Sequence, residues 1–133
     1  MFFYNPQYLI YLATALLVML AAQWYVRSMY TKWGKIPTST RITGEEATRR
    51  LIHTANLQGV QIQQIPGRMT DHYDPRKKVL SLSPAVYQGS SIASVAIAAH
   101  ELGHAVQDKQ KYLPLQLRSF LVPAVNIGST LGW

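Results

Sequence analysis

The sequence predicts an α+β protein with an N-terminal transmembrane helix, a small antiparallel sheet, a buried helix within its core and the start of a second hydrophobic helix. Three observations lead to this prediction. The first 26 residues carry no charged side chain. Short apolar or alternating runs bounded by turn residues follow in the middle of the chain. A longer run, rich in Ala and Ile, comes after them. We therefore divide the chain into a transmembrane anchor (1–30), a core (31–111) and the truncated start of a second membrane segment (112–133).

The anchor prediction depends on the stretch 8–26, in which only Thr14 and Gln23 are strongly polar. At about 1.5 Å per residue, a helix of this length spans the hydrocarbon core of a bilayer. A cleaved signal peptide fits less well, because no Lys or Arg precedes the stretch and the apolar run is long. A buried core helix is a further alternative, since it too is apolar all round.

Basic residues follow the anchor at Arg27, Lys32, Lys35 and Arg41. Because positive charge favours the cytoplasmic side, we expect the N-terminus outside and the core facing the cytoplasm. The chain carries a net charge of +7, but its basic residues flank apolar stretches and are not interleaved with aromatics. Nucleic acid is therefore not expected as a partner. The absence of cysteine excludes disulfides, Cys-ligated zinc and iron–sulfur clusters from these residues.

The core begins with a predicted amphipathic helix over residues 43–59. Thr43 and Glu46 have the spacing of a capping box, and Gly59 is suited to the position after the helix. Three predicted strands follow, joined in part by a turn at Asp74-Pro75-Arg76-Lys77; they cover residues 60–65, 69–73 and 79–83. We expect them to form a small antiparallel sheet.

The next predicted helix runs from about Ser91 to about Lys109, with Ser90 or Ser91 as its cap. It is apolar nearly all round, which predicts a central, buried helix. A second apolar stretch then contains Arg118 and Pro123. Its last fifteen residues are short for a complete membrane span, so we expect it to continue beyond this sequence.

The predicted buried helix contains His100-Glu101-Leu102-Gly103-His104, an HExxH motif. Residues four apart lie on one helical face, so His100 and His104 can bind the same Zn²⁺ ion. Glu101 can reach a zinc-activated water as general base without binding the metal itself. The motif predicts a zinc metallopeptidase. The alternative is a non-catalytic membrane module in which the HExxH helix is structural or an incomplete metal site.

Catalytic zinc usually has three protein ligands, and no good third ligand is apparent in the sequence. Asp108 would lie about 6 Å beyond His104 along the helix axis, which makes it a better capping or supporting group. His72, within Asp71-His72-Tyr73-Asp74, could face the metal from the sheet, although turn formation also explains that cluster. We expect the third ligand beyond residue 133.

Three other side chains are weaker candidates. His53 lies on the predicted amphipathic helix and is expected at the surface or in packing. Tyr73 and Tyr112 could donate to a developing oxyanion, but aromatic packing is the preferred interpretation of both.

Residues 66–87, residues 90–108 and the N-terminal anchor together resemble the YugP-like, membrane-bound neutral zinc metallopeptidases of bacteria. The resemblance implies a gluzincin-like core in which His100 and His104 bind zinc and Glu101 is the base. It further implies a longer protein with more transmembrane helices and an acidic third ligand in its C-terminal part. The implied partners are a protein or peptide substrate and the membrane, and the implied location is the bacterial plasma membrane.

Overall fold

The computed structural model describes residues 5–131, apart from the side chains of Leu115 and Ser129. Its architecture is α+β, as predicted. Within the described residues a long apolar helix comes first, a small three-stranded sheet lies in the middle, and two helices follow the sheet that are shorter than the first helix but longer than the others. The elements are α1 (Pro6–Gly34), α2 (Gly44–Thr54), β1 (Gln61–Gln64), β2 (His72–Asp74), β3 (Val79–Leu82), α3 (Pro84–Tyr87), α4 (Ile92–Lys109) and α5 (Leu113–Leu131).

Helix α1 begins where the sequence offers both a cap and a proline. The Asn5 side chain accepts a hydrogen bond from the Gln7 backbone at 3.0 Å, and Pro6 occupies the first turn. In the described part of the chain, α1 alone is long and apolar enough to cross a membrane, a test that a signal sequence also passes. None of its residues is buried. This exposure argues against the core-helix alternative.

Helix α2 starts as predicted and ends earlier than predicted. Thr43 and Glu46 form both hydrogen bonds of the capping box, at 3.0 and 3.1 Å. The helix ends at Thr54, so the expected end at Gly59 is wrong. Asn56 adopts a positive φ of 55°, and its backbone N–H bonds to the His53 carbonyl. Asparagine tolerates this left-handed conformation and therefore ends the helix before the glycine does.

The sheet is mixed, so the expectation of an antiparallel sheet is wrong for one of its two strand pairs. The strand order is β1-β3-β2. Strands β2 and β3 are antiparallel, whereas β1 and β3 run parallel. Strand β3 lies in the centre because its residues are the most buried, with Leu80 and Leu82 fully enclosed. The more polar strands β1 and β2 take the edges, where their side chains can reach water.

Helix α4 packs one face against the sheet and leaves another open. Ala98, Leu102 and Ala105 are buried in the same cluster as Leu80 and Leu82. His100 and Ala96 are exposed, so burial on all sides, as expected from composition, is not found. Alanine is small enough to line a surface as readily as a core, which is why composition misled here.

Helices α2 and α3 both pack against α4 and lie close to each other. The short helix α3, which the sequence did not predict, contributes the fully buried Val86. Gly44 lies so close to α3 that a Cβ atom there would collide with the Val86 carbonyl oxygen. Glycine at the start of α2 therefore permits the close packing of α2 on this region.

The segment after α1 ties the anchor to the start of α4. Thr38 donates its backbone N–H to the Ser90 carbonyl at 2.9 Å, and Ile92 donates to the Ile36 carbonyl at 2.8 Å. These two bonds flank a β-bridge between Pro37 and Ser91. They place the C-terminal end of α1 beside the N-terminal end of the HExxH helix.

Candidate active site

The open face of α4 brings together the three residues of the HExxH motif. The rings of His100 and His104 lie 5.1 Å apart between centroids and nearly perpendicular, at 80°. His100 is exposed, while Glu101 and His104 are half-buried. Two imidazoles in this arrangement, one turn apart on a packed helix, can direct nitrogen atoms to a common point.

His104 is held by a hydrogen bond that the sequence interpretation missed. Its Nδ1 lies 3.1 Å from Oε1 of Gln107, three residues later on the same helix. Because an amide oxygen only accepts, this contact places the ring proton on Nδ1 and leaves Nε2 free of it. The sequence contains a signal for this bond, because His104 and Gln107 are three residues apart on a predicted helix and such residues are neighbours on the helix surface.

Glu101 faces a cleft of about 540 Å³ between the sheet and the last two helices. Partial burial raises the pKa of the Glu101 carboxyl, and the neighbouring His104 and His100 oppose that rise. The negative charge of Asp71 adds to it, while His72 acts in the opposite direction. The cleft thus contains many polar groups among apolar ones; its charged or titratable lining comprises Asp71, His72, Tyr73, Asp74, Arg76, Glu101, His104 and Arg118.

Two carboxylates, one directly before β2 and one at its end, have structural roles. Asp71 accepts hydrogen bonds from the backbone and the hydroxyl of Ser83, at 2.7 and 3.0 Å. Asp74 accepts from the backbone N–H groups of Arg76 and Lys77, at 2.9 and 3.3 Å. The bond from Arg76 is the main reason why the pKa of Asp74 is lowered. The predicted turn chemistry is therefore present.

Asp108 and Tyr73 bond to each other. The Tyr73 hydroxyl donates to Asp108 Oδ2 at 2.9 Å, which joins β2 to the end of α4. Burial and this bond raise the pKa of Tyr73. Asp108 therefore links α4 to β2 through Tyr73, which itself packs against the core cluster. Tyr112 and His53 are exposed.

His72 lies in the same cleft as Glu101 and His104, but its ring bonds elsewhere. Its Nδ1 donates to the Thr70 carbonyl at 2.8 Å. In residues 5–131 no cluster of three or more His, Cys, Asp or Glu side chains could hold a metal ion. The described residues therefore bring His100 and His104 together without a third ligand.

The imidazole nitrogens of His100 and His104 on this face are chemically suited to zinc. Imidazole nitrogen is a preferred zinc ligand, and a hydrogen bond to the other ring nitrogen, as at His104, orients such ligands in metal sites. Glu101 is adjacent to both imidazoles without belonging to the pair. Two imidazoles and one carboxylate, side chains of the kinds found in catalytic zinc sites, are thus present on α4.

Comparison with known proteins agrees with the predicted resemblance. A model of the family described as "Putative neutral zinc metallopeptidase" matches residues 8–133. The chain is 41% identical over 108 residues to the "Putative membrane protease YugP" of Bacillus subtilis (strain 168). The aligned part is 81% of the chain and 48% of that relative, so the chain spans about half the relative's length. No solved structure matches. The chain belongs to the family of neutral zinc metallopeptidases.

Proposed function

We propose that this chain provides the membrane anchor and the HExxH helix of a zinc metallopeptidase that hydrolyses peptide bonds in proteins or peptides. The observation that carries the proposal is the open face of α4, where His100, Glu101 and His104 lie together beside a polar cleft. Family membership supports the same chemistry. The relative from Bacillus subtilis is itself named as a membrane protease.

In this proposal His100 and His104 hold the metal and Glu101 moves the proton. When bound, zinc would supply Lewis acidity, which lowers the pKa of a water molecule toward about 7. The Glu101 carboxylate accepts a proton from the attacking water as the new carbon–oxygen bond forms at the scissile carbonyl. It then delivers that proton to the amide nitrogen as the carbon–nitrogen bond breaks. Gln107 keeps the His104 ring in the orientation that this site requires.

We further propose that the third ligand is an acidic residue beyond residue 133. The main alternative is a non-catalytic membrane module with an incomplete metal site, and the two-histidine arrangement within residues 5–131 favours that alternative. The two functions differ in whether zinc binding is accompanied by proteolysis.

The experiment that tests the proposal uses the full-length protein, purified in detergent. We expect bound zinc by elemental analysis and cleavage of fluorescein-labelled casein. Treatment with 1,10-phenanthroline should abolish cleavage, and added Zn²⁺ should restore it. Zinc-loaded protein that leaves casein and a panel of unfolded proteins intact would support the non-catalytic module instead.

Replacing Gln107 by leucine should weaken zinc binding. Leucine keeps the size of the side chain but removes the oxygen that accepts from His104 Nδ1. Loss of such an orienting hydrogen bond typically costs about 10–100-fold in metal affinity. Competition with a fluorescent zinc chelator measures this change directly, without reference to activity.

Two further variants control that experiment. Gln107→Glu retains an acceptor oxygen at the same position and should keep most of the affinity. Gln110→Leu makes the same change at an exposed position after the helix. Equal zinc affinity in Gln107→Leu and the wild type would show that this bond does not orient His104.

The proposed orientation places residues after α1 in the cytoplasm. The sequence contains no cysteine, so single cysteines are convenient probes at the two ends of α1. In an otherwise cysteine-free full-length protein, we expect Lys35→Cys to react with a membrane-impermeant maleimide only after cell lysis. Asn5→Cys should react in intact cells. The reverse pattern would place the site outside the cytoplasm.

A further inference from the structure

A second cleft, also of about 540 Å³, shares the lining residues Glu101 and Asp71 with the polar cleft. We call it the anchor groove. The last turns of α1 form one wall, the first turns of α4 form another, and Met69 contributes from the loop before β2. Its defining residues are Val26, Met29, Trp33, Met69, Ala96 and Ile97. Apart from Asp71 and Glu101 the groove has no acidic or basic lining residue.

The apolar side chains of the anchor groove remain partly open to solvent. Trp33 is 40% exposed and Met69 is 43% exposed. Exposed apolar side chains gathered in one concave place are typical of a binding site. The volume lies within the range of about 300–1,000 Å³ common for such sites.

The walls of the anchor groove are fixed to each other. The bonds Thr38–Ser90 and Ile92–Ile36 hold the end of α1 to the start of α4. On the other side, the Arg68 guanidinium lies 5.4 Å from the centre of the Tyr30 ring, which links the Met69 loop to α1. The groove is therefore a formed feature of the fold.

The anchor groove leads directly to the proposed catalytic carboxylate. Ala93, Ile97 and Glu101 lie on one row of α4, four residues apart, and each step is about 6 Å. An extended peptide rises about 3.3 Å per residue. A side chain seated against Ile97 therefore belongs to a residue within about two positions of a peptide bond held beside Glu101.

Glu101 and Asp71 line both clefts, which otherwise differ in their lining. The anchor groove is otherwise apolar and aromatic, whereas the polar cleft also contains Asp74, Arg76 and Arg118. A polypeptide bound at Glu101 can therefore contact an apolar surface in one cleft and charged side chains in the other.

We propose that the anchor groove is a substrate subsite that takes a large apolar side chain, such as leucine or phenylalanine, on one side of the scissile bond. This inference rests on the proposed peptidase function. The occupant is a side chain of the substrate because the groove ends on the catalytic carboxylate. A segment of the enzyme's own chain filling the groove is the competing outcome.

The test measures cleavage by the zinc-loaded full-length protein of internally quenched peptides based on one cleaved sequence. Each of the three positions on either side of the scissile bond is in turn Ser, Leu or Phe. We expect Leu and Phe to raise kcat/KM by about 10–100-fold over Ser at a position on one side only. Equal values for Ser, Leu and Phe at every position would overturn the inference while leaving the peptidase function intact.

Ala96→Phe should fill the groove, because Ala96 is a small, exposed residue within it. The ratio of kcat/KM for the Leu peptide over the Ser peptide should fall toward one. Ala85→Phe, which adds the same ring at an exposed position on α3, should keep the wild-type ratio. An unchanged ratio in Ala96→Phe would contradict the assignment.

A second measurement does not depend on turnover. The photoreactive residue p-benzoylphenylalanine replaces the Leu of the peptide, which is then irradiated with the Glu101→Gln protein. Crosslinks to residues of the anchor groove that are lost when Ala96→Phe is added support the subsite. Crosslinks only to residues outside the groove, as expected if a segment of the enzyme's own chain fills it, would overturn the inference. Absence of cleavage of every peptide by zinc-loaded wild type, by contrast, counts against the proposed function itself.

Discussion

Glu101→Gln should reduce kcat/KM of the full-length protein by at least about 10²–10⁴-fold, the contribution expected of a positioned general base. The glutamine amide matches the carboxylate in size but cannot accept the proton of the attacking water. Because Glu101 is adjacent to both histidines without being assigned as a ligand, zinc content should remain that of the wild type. Cleavage of labelled casein and elemental analysis of the same preparation measure the two quantities together.

The chain offers a matched control for this substitution. Glu45, on α2, forms an ion pair at 2.7 Å with the exposed Arg49, four residues further along the helix. Such pairs contribute little to stability, so Glu45→Gln should retain wild-type cleavage and zinc. Activity that survives in Glu101→Gln would remove Glu101 from the mechanism. Loss of zinc from that variant would instead make it a metal ligand.

Local sequence rules predicted the features of this fold that depend on neighbouring residues. The capping box at Thr43 and Glu46, the Asp74 turn and the start of α4 at Ser91 were all predicted and are present. Each of these is formed by hydrogen bonds between residues at most three apart. The termination of α2 near Asn56 was missed because glycine was preferred over asparagine as the left-handed residue.

The sheet could not be predicted in the same way. Whether β1 pairs with β2 or with β3 depends on which strand is driven to the centre by burial against α4. Leu80 and Leu82 decide that competition, and their partners Ala98 and Leu102 lie well further along the chain. Strand alternation identifies the strands but contains no information about their order.

The candidate site likewise combines features that sequence spacing predicts with features that depend on contacts between distant parts of the chain. Two imidazoles and a carboxylate on one helix are determined by spacing, and the structure places His100, Glu101 and His104 together. The hydrogen bond from His104 to Gln107 was predictable from the spacing of the two residues but was not predicted. The anchor groove was not predictable, because it requires α1 to lie against the start of α4, and the bonds through Ile36 and Ser90 that bring them together have no sequence signature.

His104→Ala should lower zinc affinity by roughly 10²–10³-fold in the full-length protein. Apparent zinc-binding free energies of about 10–16 kcal/mol in four-ligand sites correspond to roughly 2.5–4 kcal/mol for each ligand. His100→Ala should have a similar effect, because the two imidazoles lie one turn apart on α4, with their ring centroids 5.1 Å from each other, and both are proposed as ligands. Chelator competition measures the affinities, and far-UV circular dichroism confirms that α4 remains folded.

Two other histidines make this experiment selective. His53→Ala removes an exposed ring from α2 and should leave zinc affinity unchanged. His72→Ala is more informative, because His72 shares the polar cleft with His104 while its Nδ1 bonds to the Thr70 carbonyl. The His72 ring already bonds to this carbonyl, and within residues 5–131 it belongs to no cluster of three potential ligands. We therefore expect His72→Ala to change zinc affinity by less than about twofold. A loss as large as that of His104→Ala would make His72 the third ligand and would place the complete metal site within these residues.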